Sequence, residues 1–534
     1  MSARVAGVGD RPVRPPLTWQ RLQLPVLTLA VLVLFVVSLI ETDSSPARFL
    51  GSFDELADLF ARMWPPVATE WPRYLEATWV TLAMVVAATG LAFLISVPVA
   101  ILAAANTTPH PVVHVVARGA TAMARAIPSI VWALLLVRAI GIGPVAGVLA
   151  MTLSSFGMLG KLFADAVETV DRRPLDALTA AGATRTQVFV GGVLPQVLAT
   201  WFSLSLFRLD INVRRSVILG FVGAGGIGFE LQRVLGQLAY QRALTIVAII
   251  FVFVIALERL SAWIRSSLID DGAVDGSGRM RGRDRTAKWV AGLIAVAGFV
   301  VSSWAVGLTP GALGDALVGM GQVARRMFPP DFVTNWNGIV AAMAETVWIA
   351  LAATVMGLAI ALPIAVLAAR NTTPRPWVSV VSRGVMVLER GIPELVLAVV
   401  FVVAVGLGPF AGVLALTVGA IGFTGKLLAD GLETLPDSAS VGLASVGASW
   451  SQRTTGAVLR QGMPLIVGVG VYTLDVYVRA ATVLGVVGAG GIGGILNSTI
   501  QSHRYDRTLA ICLIVFVLIY GFERLAGWIR RKLV

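Results

Sequence analysis

Long apolar runs separated by short polar stretches fill this chain from end to end. They fall near residues 22–40, 76–104, 112–140, 143–166, 188–210 and 240–264. They return near 288–307, 338–369, 378–405, 408–431, 455–478 and 505–529. Runs of about 20 residues let a helix rising roughly 1.5 Å per residue cross a hydrocarbon layer of about 30 Å. None alternates apolar and polar positions as a membrane strand would, so the pattern predicts helices rather than a barrel. The first run, Leu22 to Ile40, exceeds a signal-peptide core and lacks a small-residue cleavage site after it, so it reads as a retained span. A weaker segment follows each opening run. Phe53, Leu56, Leu59, Phe60 and Met63 stop at Pro65-Pro66, and Leu313, Leu317, Met320 and Met327 stop at Pro329-Pro330. That spacing predicts a short helix, either lying along the membrane interface or packing on the bundle.

The pattern is written twice. Asn106-Thr107-Thr108-Pro109 returns as Asn371-Thr372-Thr373-Pro374, and 371 − 106 = 265. The same shift carries Gly223, Gly225, Gly226 and Gly228 onto Gly488, Gly490, Gly491 and Gly493, Gly160-Lys161 onto Gly425-Lys426, and Glu258-Arg259 onto Glu523-Arg524. Two units are expected, 1–264 and 288–534, joined by a polar linker over 265–287. A path on a pseudo-twofold axis puts transport ahead of catalysis.

Composition agrees with that reading. Of 534 residues, 57% are hydrophobic and 13% charged, half the share usual in a soluble domain. The net charge of +12 sits in short clusters flanking apolar runs, which fits basic cytoplasmic loops rather than nucleic acid. The N-terminal arginines, the linker and Arg530-Arg531-Lys532 are accordingly expected on the cytoplasmic side, with both termini. Six spans per copy then give parallel repeats with the glycine-rich segments outside. The lone Cys512 excludes an intrachain disulfide, and three scattered histidines suggest no metal centre.

The segment Asp176-Ala177-Leu178-Thr179-Ala180-Ala181-Gly182-Ala183, followed by Leu194-Pro195, lies between two spans. It resembles the coupling loop of ABC importer permeases, with Asp176 in the place of the family's Glu. Copy two departs from the pattern, with Val441 for the acid and Arg460 for the proline, while Gly447, Ala448 and Leu459 remain. Met327-Phe328-Pro329-Pro330-Asp331-Phe332, Arg390-Gly391-Ile392-Pro393-Glu394 and Asp210-Ile211-Asn212-Val213-Arg214 are similar to runs in the phosphonate importer permease family. The resemblance covers nearly the whole chain, twice. It implies an all-α polytopic membrane protein, two tandem parallel six-helix repeats with the type I importer fold that methionine permeases also share. It further implies import of phosphonate, phosphate or phosphite across a bacterial inner membrane. The expected partners are a homodimeric ATPase that holds ATP and magnesium, an external solute-binding protein and the lipid bilayer. This chain itself would be no enzyme and bind no cofactor.

Several features have competing readings. Gly223-x-Gly225-x-x-Gly228 matches a dinucleotide fingerprint, but it follows a span rather than a strand, so close backbone packing is favoured. Gly160-Lys161 and Gly425-Lys426 lack the glycine spacing of a P-loop. Arg125 and Arg390, placed near the middle of helices, would either line a pathway or fix the bundle through ion pairs, the latter favoured. An external-side set, Arg208, Arg214, Arg215, Arg233 and Arg242 with Arg479, would draw an anion unless Asp210 and Asp475 neutralise it. The rival class is an ion-coupled transporter using Glu389 and Glu394, for which copy one has Ala124 and Ser129.

Overall fold

The computed structural model describes residues 19–268 and 282–533, all of whose regular structure is helical. Copy one runs α1 (Trp19–Glu41), α2 (Pro46–Met63), α3 (Trp71–Ala103), α4 (Pro111–Ala126), α5 (Ser129–Ile140) and α6 (Pro144–Glu168). It continues with α7 (Arg172–Ala180), α8 (Arg185–Val188), α9 (Leu194–Leu219), α10 (Gly226–Gly236) and α11 (Tyr240–Leu268). Copy two repeats the order as α12 (Gly282–Ala305), α13 (Pro310–Met327), α14 (Trp336–Ala368), α15 (Pro376–Arg390), α16 (Glu394–Val405) and α17 (Pro409–Glu433). It closes with α18 (Ser438–Ser445), α19 (Trp450–Arg453), α20 (Leu459–Leu484), α21 (Ile492–Gln501) and α22 (Tyr505–Leu533).

Eight described helices are long and apolar enough to cross a membrane singly, and three bent pairs reach that length together. The expected continuous span over 112–140 needs correction. Pro128 forces the preceding Ile127 into extended backbone, and α4 and α5 meet at 87°. The span over 378–405 breaks in the same way before Pro393, leaving the 12-residue α16. Arg125 and Arg390 therefore lie in the last turns of α4 and α15 rather than in mid-helix. The spans expected to end at 210 and 478 continue to Leu219 and Leu484, and α11 and α12 extend helix into the expected linker. Residues 269–281 of that linker lie outside the described residues.

Small residues bring the long helices together, because lipid tails give apolar side chains no reason to leave them and close packing must supply the attraction. Ala83, Ala87 and Ala88 of α3 are fully buried against α6, and Ala352 and Ala353 of α14 against α17. The opening helices cross over: α1 packs on α14, and α12 packs on α3. A Cβ on Gly90 of α3 would meet the Phe299 ring of α12, so the close crossing uses the space that glycine leaves. The amphipathic α2 and α13 follow their opening helices at bends of 53° and 65°. Each packs across the repeat boundary, α2 on α16 and α13 on α5, burying Leu59, Met63 and Val323 while Phe53, Phe60 and Leu317 stay exposed. One hydrophobic core consequently joins Met84, Met151 and Val217 to Leu395, Phe410 and Tyr477.

The Asn-Thr-Thr-Pro repeats are caps at one end of the bundle. Asn106 Nδ2 donates to the Val167 carbonyl at 2.7 Å and Asn371 Nδ2 to that of Leu432 at 2.8 Å. Arg118 binds Asp165 and Glu168, as Arg383 binds Asp430 and Glu433, closing the same end in both copies.

Candidate functional site: two knobs, two glycine turns and a central arginine cluster

At the capped end, α7 stops in a turn that needs glycine. Ala183 N–H donates to the Leu178 carbonyl and Gly182 N–H to that of Thr179, both at 3.0 Å. Gly182 takes φ +80°, a left-handed geometry that costs a residue with a Cβ about 1–2 kcal/mol. Thr184 and Gln187 then cap α8 reciprocally. Copy two repeats every element: Gly447 at φ +80°, Ala448 bonded to Leu443, and a Ser449–Gln452 capping box. Asp176, Ala177 and Ala181 are exposed on the first knob, and Val441 is exposed at the place of Asp176. Losing the acid leaves the fold of the knob unchanged.

Each knob passes through one wide helical turn, Phe189–Val193 or Thr454–Val458, directly into α9 or α20. Leu194 and Pro195 open α9, and Leu459 and Arg460 open α20. The wide turn persists without the proline, so the proline does not create it. Leu175 and Leu178 close over Gly192, and Leu443 over Gly456, tying each knob to its helix.

The opposite end holds the glycine-rich segments. Gly143 N–H donates to the Gly223 carbonyl at 3.0 Å and Gly408 N–H to that of Gly488 at 2.9 Å. Thr81 Oγ1 accepts from Ile227 N–H and Thr346 Oγ1 from Ile492 N–H. Positions Gly225, Gly226, Gly490 and Gly491 run through these turns at positive φ. A Cβ on Gly228 would meet the Val217 carbonyl oxygen, and one on Gly493 that of Thr482. The glycines bring α9 against α10 and α20 against α21, and the segment follows a helix, unlike a dinucleotide-binding loop.

The arginines expected together on the outside divide between two levels, which corrects that grouping. Arg233 and Arg242 lie at the glycine end, bound to Glu70 at 2.7 and 2.6 Å, while Arg73 and Arg233 hold Glu230. The hydrogen bond from Arg233 holds the Glu70 carboxyl below its ordinary range. Copy two replaces this hub with Asp331, which binds Arg507 and accepts from the Val333 and Thr334 N–H groups. Those local bonds, led by Thr334, hold the Asp331 carboxyl well below the carboxylate range.

Arg208 lies 14 residues into α9, about 21 Å from the knob end, in the middle of the bundle. It is 1% exposed. Its Nε donates to Ser155 Oγ at 2.8 Å, one terminal nitrogen to Ser154 Oγ at 2.9 Å and the other to Met158 Sδ. Arg215 also donates to Ser154 Oγ, at 2.6 Å. Asn212 ties Ser155 to Thr89. Asp210 binds Arg265, and Asp475 binds Arg479, so neither neutralises Arg208 or Arg215. Glu258 of α11 bridges the repeats, reaching Arg214 at 3.3 Å and Arg390 at 3.2 Å. The equivalent Arg125 and Glu523 are exposed and make no ion pair among the described residues. Glu389 and Glu394 sit on the copy-two side, around the backbone of Gly419 and close to Tyr477.

Sequence reasoning missed Ser154, Ser155, Asn212, Glu70, Glu230 and the bridging role of Glu258. The available signal was divergence between copies: the 265-residue shift turns Ser154-Ser155 into Gly419-Ala420 and Asn212 into Tyr477.

Comparison with known proteins places these features. The family model described as binding-protein-dependent transport system inner membrane component matches residues 96–269 and again 361–534, two matches separated by 361 − 96 = 265 residues. The phosphate-import permease protein PhnE of Mycolicibacterium smegmatis is 42% identical over 499 residues, 93% of each chain. The phosphite transport system permease protein PtxC of Stutzerimonas stutzeri is 36% identical over 46% of this chain and 89% of its own. Among solved structures, the inward-facing MetNI methionine ABC transporter matches 37% of this chain and 96% of its own at 23% identity and a TM-score of 0.34. The doubled motifs, doubled helices and doubled family match agree: the chain belongs to the binding-protein-dependent transport system inner membrane components and carries the family unit twice.

Proposed function

We propose that this chain is a two-unit permease of an ATP-driven importer, units 1–264 and 288–534, that passes a phosphorus oxyanion such as phosphate, phosphite or a phosphonate. The observation that carries the reading is the direct connection of each knob to a long helix that reaches the centre of the bundle. Two copies of a separate ATPase seat on the knobs 172–188 and 437–453 and hold the ATP and magnesium. That end, with both termini, faces the cytoplasm, and an external solute-binding protein delivers substrate at the glycine end. Closure of the ATPases tilts α9 and α20 as levers and switches the bundle between its outward- and inward-facing states. The relatives' printed substrates support a phosphorus oxyanion, and guanidinium forks suit its oxygens.

The test is ATP-dependent uptake in proteoliposomes holding the chain, its ATPase and its solute-binding protein. Gly182→Asp and Gly447→Asp should each lower uptake by roughly tenfold or more, the scale of an allosteric coupling free energy, while the helices stay folded. Both knobs have the same turn and caps, so both should matter. Wild-type uptake by either variant removes that knob from the mechanism.

A further inference from the structure

We propose that each chain holds one oxyanion site, off the pseudo-twofold axis, built by Arg208 and Arg215 of α9 with Ser154 and Ser155 of α6. Copy two supplies no equivalent site. This rests on reading the chain as a phosphorus-oxyanion importer and names where in the bundle that substrate is held.

Two guanidinium groups converge on the single oxygen of Ser154, at 2.9 and 2.6 Å. Among the described residues, no carboxylate lies within ion-pair distance of either. Like charges brought together inside a membrane protein are unfavourable unless an anion joins them. The acids of α9, α11 and α20 are already committed: Asp210 to Arg265, Glu258 to Arg214 and Arg390, Asp475 to Arg479. An arginine offers five N–H donors. Three of those on Arg208 and one on Arg215 are used, leaving two and four for a ligand. Arg208 is buried and held by Ser155, itself fixed by Asn212, so it forms the rigid back of the site. Arg215 is half-buried and keeps the donors it does not give to Ser154. A planar fork pairs well with two oxygens of a tetrahedral oxyanion.

Nothing comparable exists after the 265-residue shift. Thr473 stands at the place of Arg208 and bonds Thr424, Ala480 replaces Arg215, and Gly419-Ala420 replace the serines. The space beside Gly419 is bordered instead by Glu389, Glu394 and the Tyr477 hydroxyl. Carboxyl groups there disfavour a second anion.

The full complex in proteoliposomes is assayed for uptake of labelled phosphate, phosphite and methylphosphonate. Arg215→Met and Ser154→Ala should raise KM for the transported anion about 10- to 100-fold, the range for losing hydrogen bonds to a charged group. Thr473→Val should leave KM unchanged. Co-purification of the ATPase reports assembly, and where Arg208→Met does not assemble the other two variants carry the test. Equilibrium dialysis of the chain with its ATPase in nanodiscs, without the solute-binding protein, should give one anion bound per chain. Wild-type KM in both Arg215→Met and Ser154→Ala, or two anions per chain, overturns the single site while leaving the importer reading intact. Wild-type protein that imports none of the three anions removes the phosphorus-oxyanion reading, and this site with it.

Discussion

The centres of the two repeats share a backbone plan and differ in charge. On the copy-one side, Arg208 and Arg215 meet at Ser154 with no carboxylate in ion-pair distance among the described residues. On the copy-two side, Glu389 and Glu394 surround the glycine that stands in for that serine. The seams between the repeats differ too. Between α11 and α15–α17 an apolar groove of about 550 Å³ opens beside Glu389 and Phe251. At the equivalent seam, where Pro128 and Val131 meet Leu496 and Cys512, lies a pocket of about 10 Å³. The knobs, the asparagine caps and the glycine turns, by contrast, are alike in both copies. Symmetry is thus kept in the knobs and where helices pack, and is lost around Ser154 and Gly419 at the centre. Fusing two units in one chain permits this, since each copy can then change by itself.

Three experiments probe that contrast, beginning with the largest effect. Gly228→Val and Gly493→Val both drive a side chain into a backbone carbonyl, and each should destabilise the bundle by roughly 3 kcal/mol or more. The readout is the unfolding temperature in detergent, with loss of folded chain on size exclusion. Similar losses keep the two glycine ends equivalent, whereas tolerance at one end breaks the symmetry of packing.

Next comes the ion pair that only one seam has. Glu258→Gln removes the bridge between Arg214 and Arg390, which are partly exposed, and should cost about 1–3 kcal/mol. Glu523→Gln should fall within measurement error, because Glu523 and Arg125 are exposed and make no ion pair among the described residues. Equal shifts in the two melts would show that the seams are energetically alike after all.

The smallest effect concerns pH at the glycine end. Glu70 and Asp331 both titrate below their ordinary values, 4.5 and 3.8, because Arg233 and Thr334 respectively favour the charged forms. Their contribution is therefore full above those ordinary values and disappears as pH falls through the lower folded ones. Melting curves taken from pH 7 downward should lose stability in that acid window. Glu70→Gln and Asp331→Asn should each flatten part of the loss, one for each copy. An unchanged acid profile in both variants would show that neither hub sustains its end.

Much of the fold was legible because a membrane restricts what an apolar run can become. The opening helix, the repeat and the short helices before Pro65 and Pro329 all appear where periodicity and composition put them. The glycine pattern at 182 and 447 marks real left-handed turns. What could not be read was partnership. Arg233 and Arg208 look alike as charges near apolar runs, yet one binds Glu70 at the bundle's end and the other is buried among serines at its middle. The breaks at Pro128 and Pro393 were visible as prolines, but their neighbours are apolar enough to hide a bend inside a continuous run.

The sequence by itself determined that this is a helical membrane protein, that one unit is written twice at a spacing of 265 residues, and that each unit carries a glycine-turned knob. These are local facts: backbone hydrogen bonds must close within a helix in lipid, and a positive φ selects glycine wherever the chain folds. Only the tertiary structure decided that the opening helices change places between repeats, that Glu258 ties them together, and that two arginines share one serine without an acid. Those depend on which residues, dozens or hundreds of positions apart, meet across packed helices, and charge pairing in a low-dielectric interior is set by distances that no single stretch of sequence records.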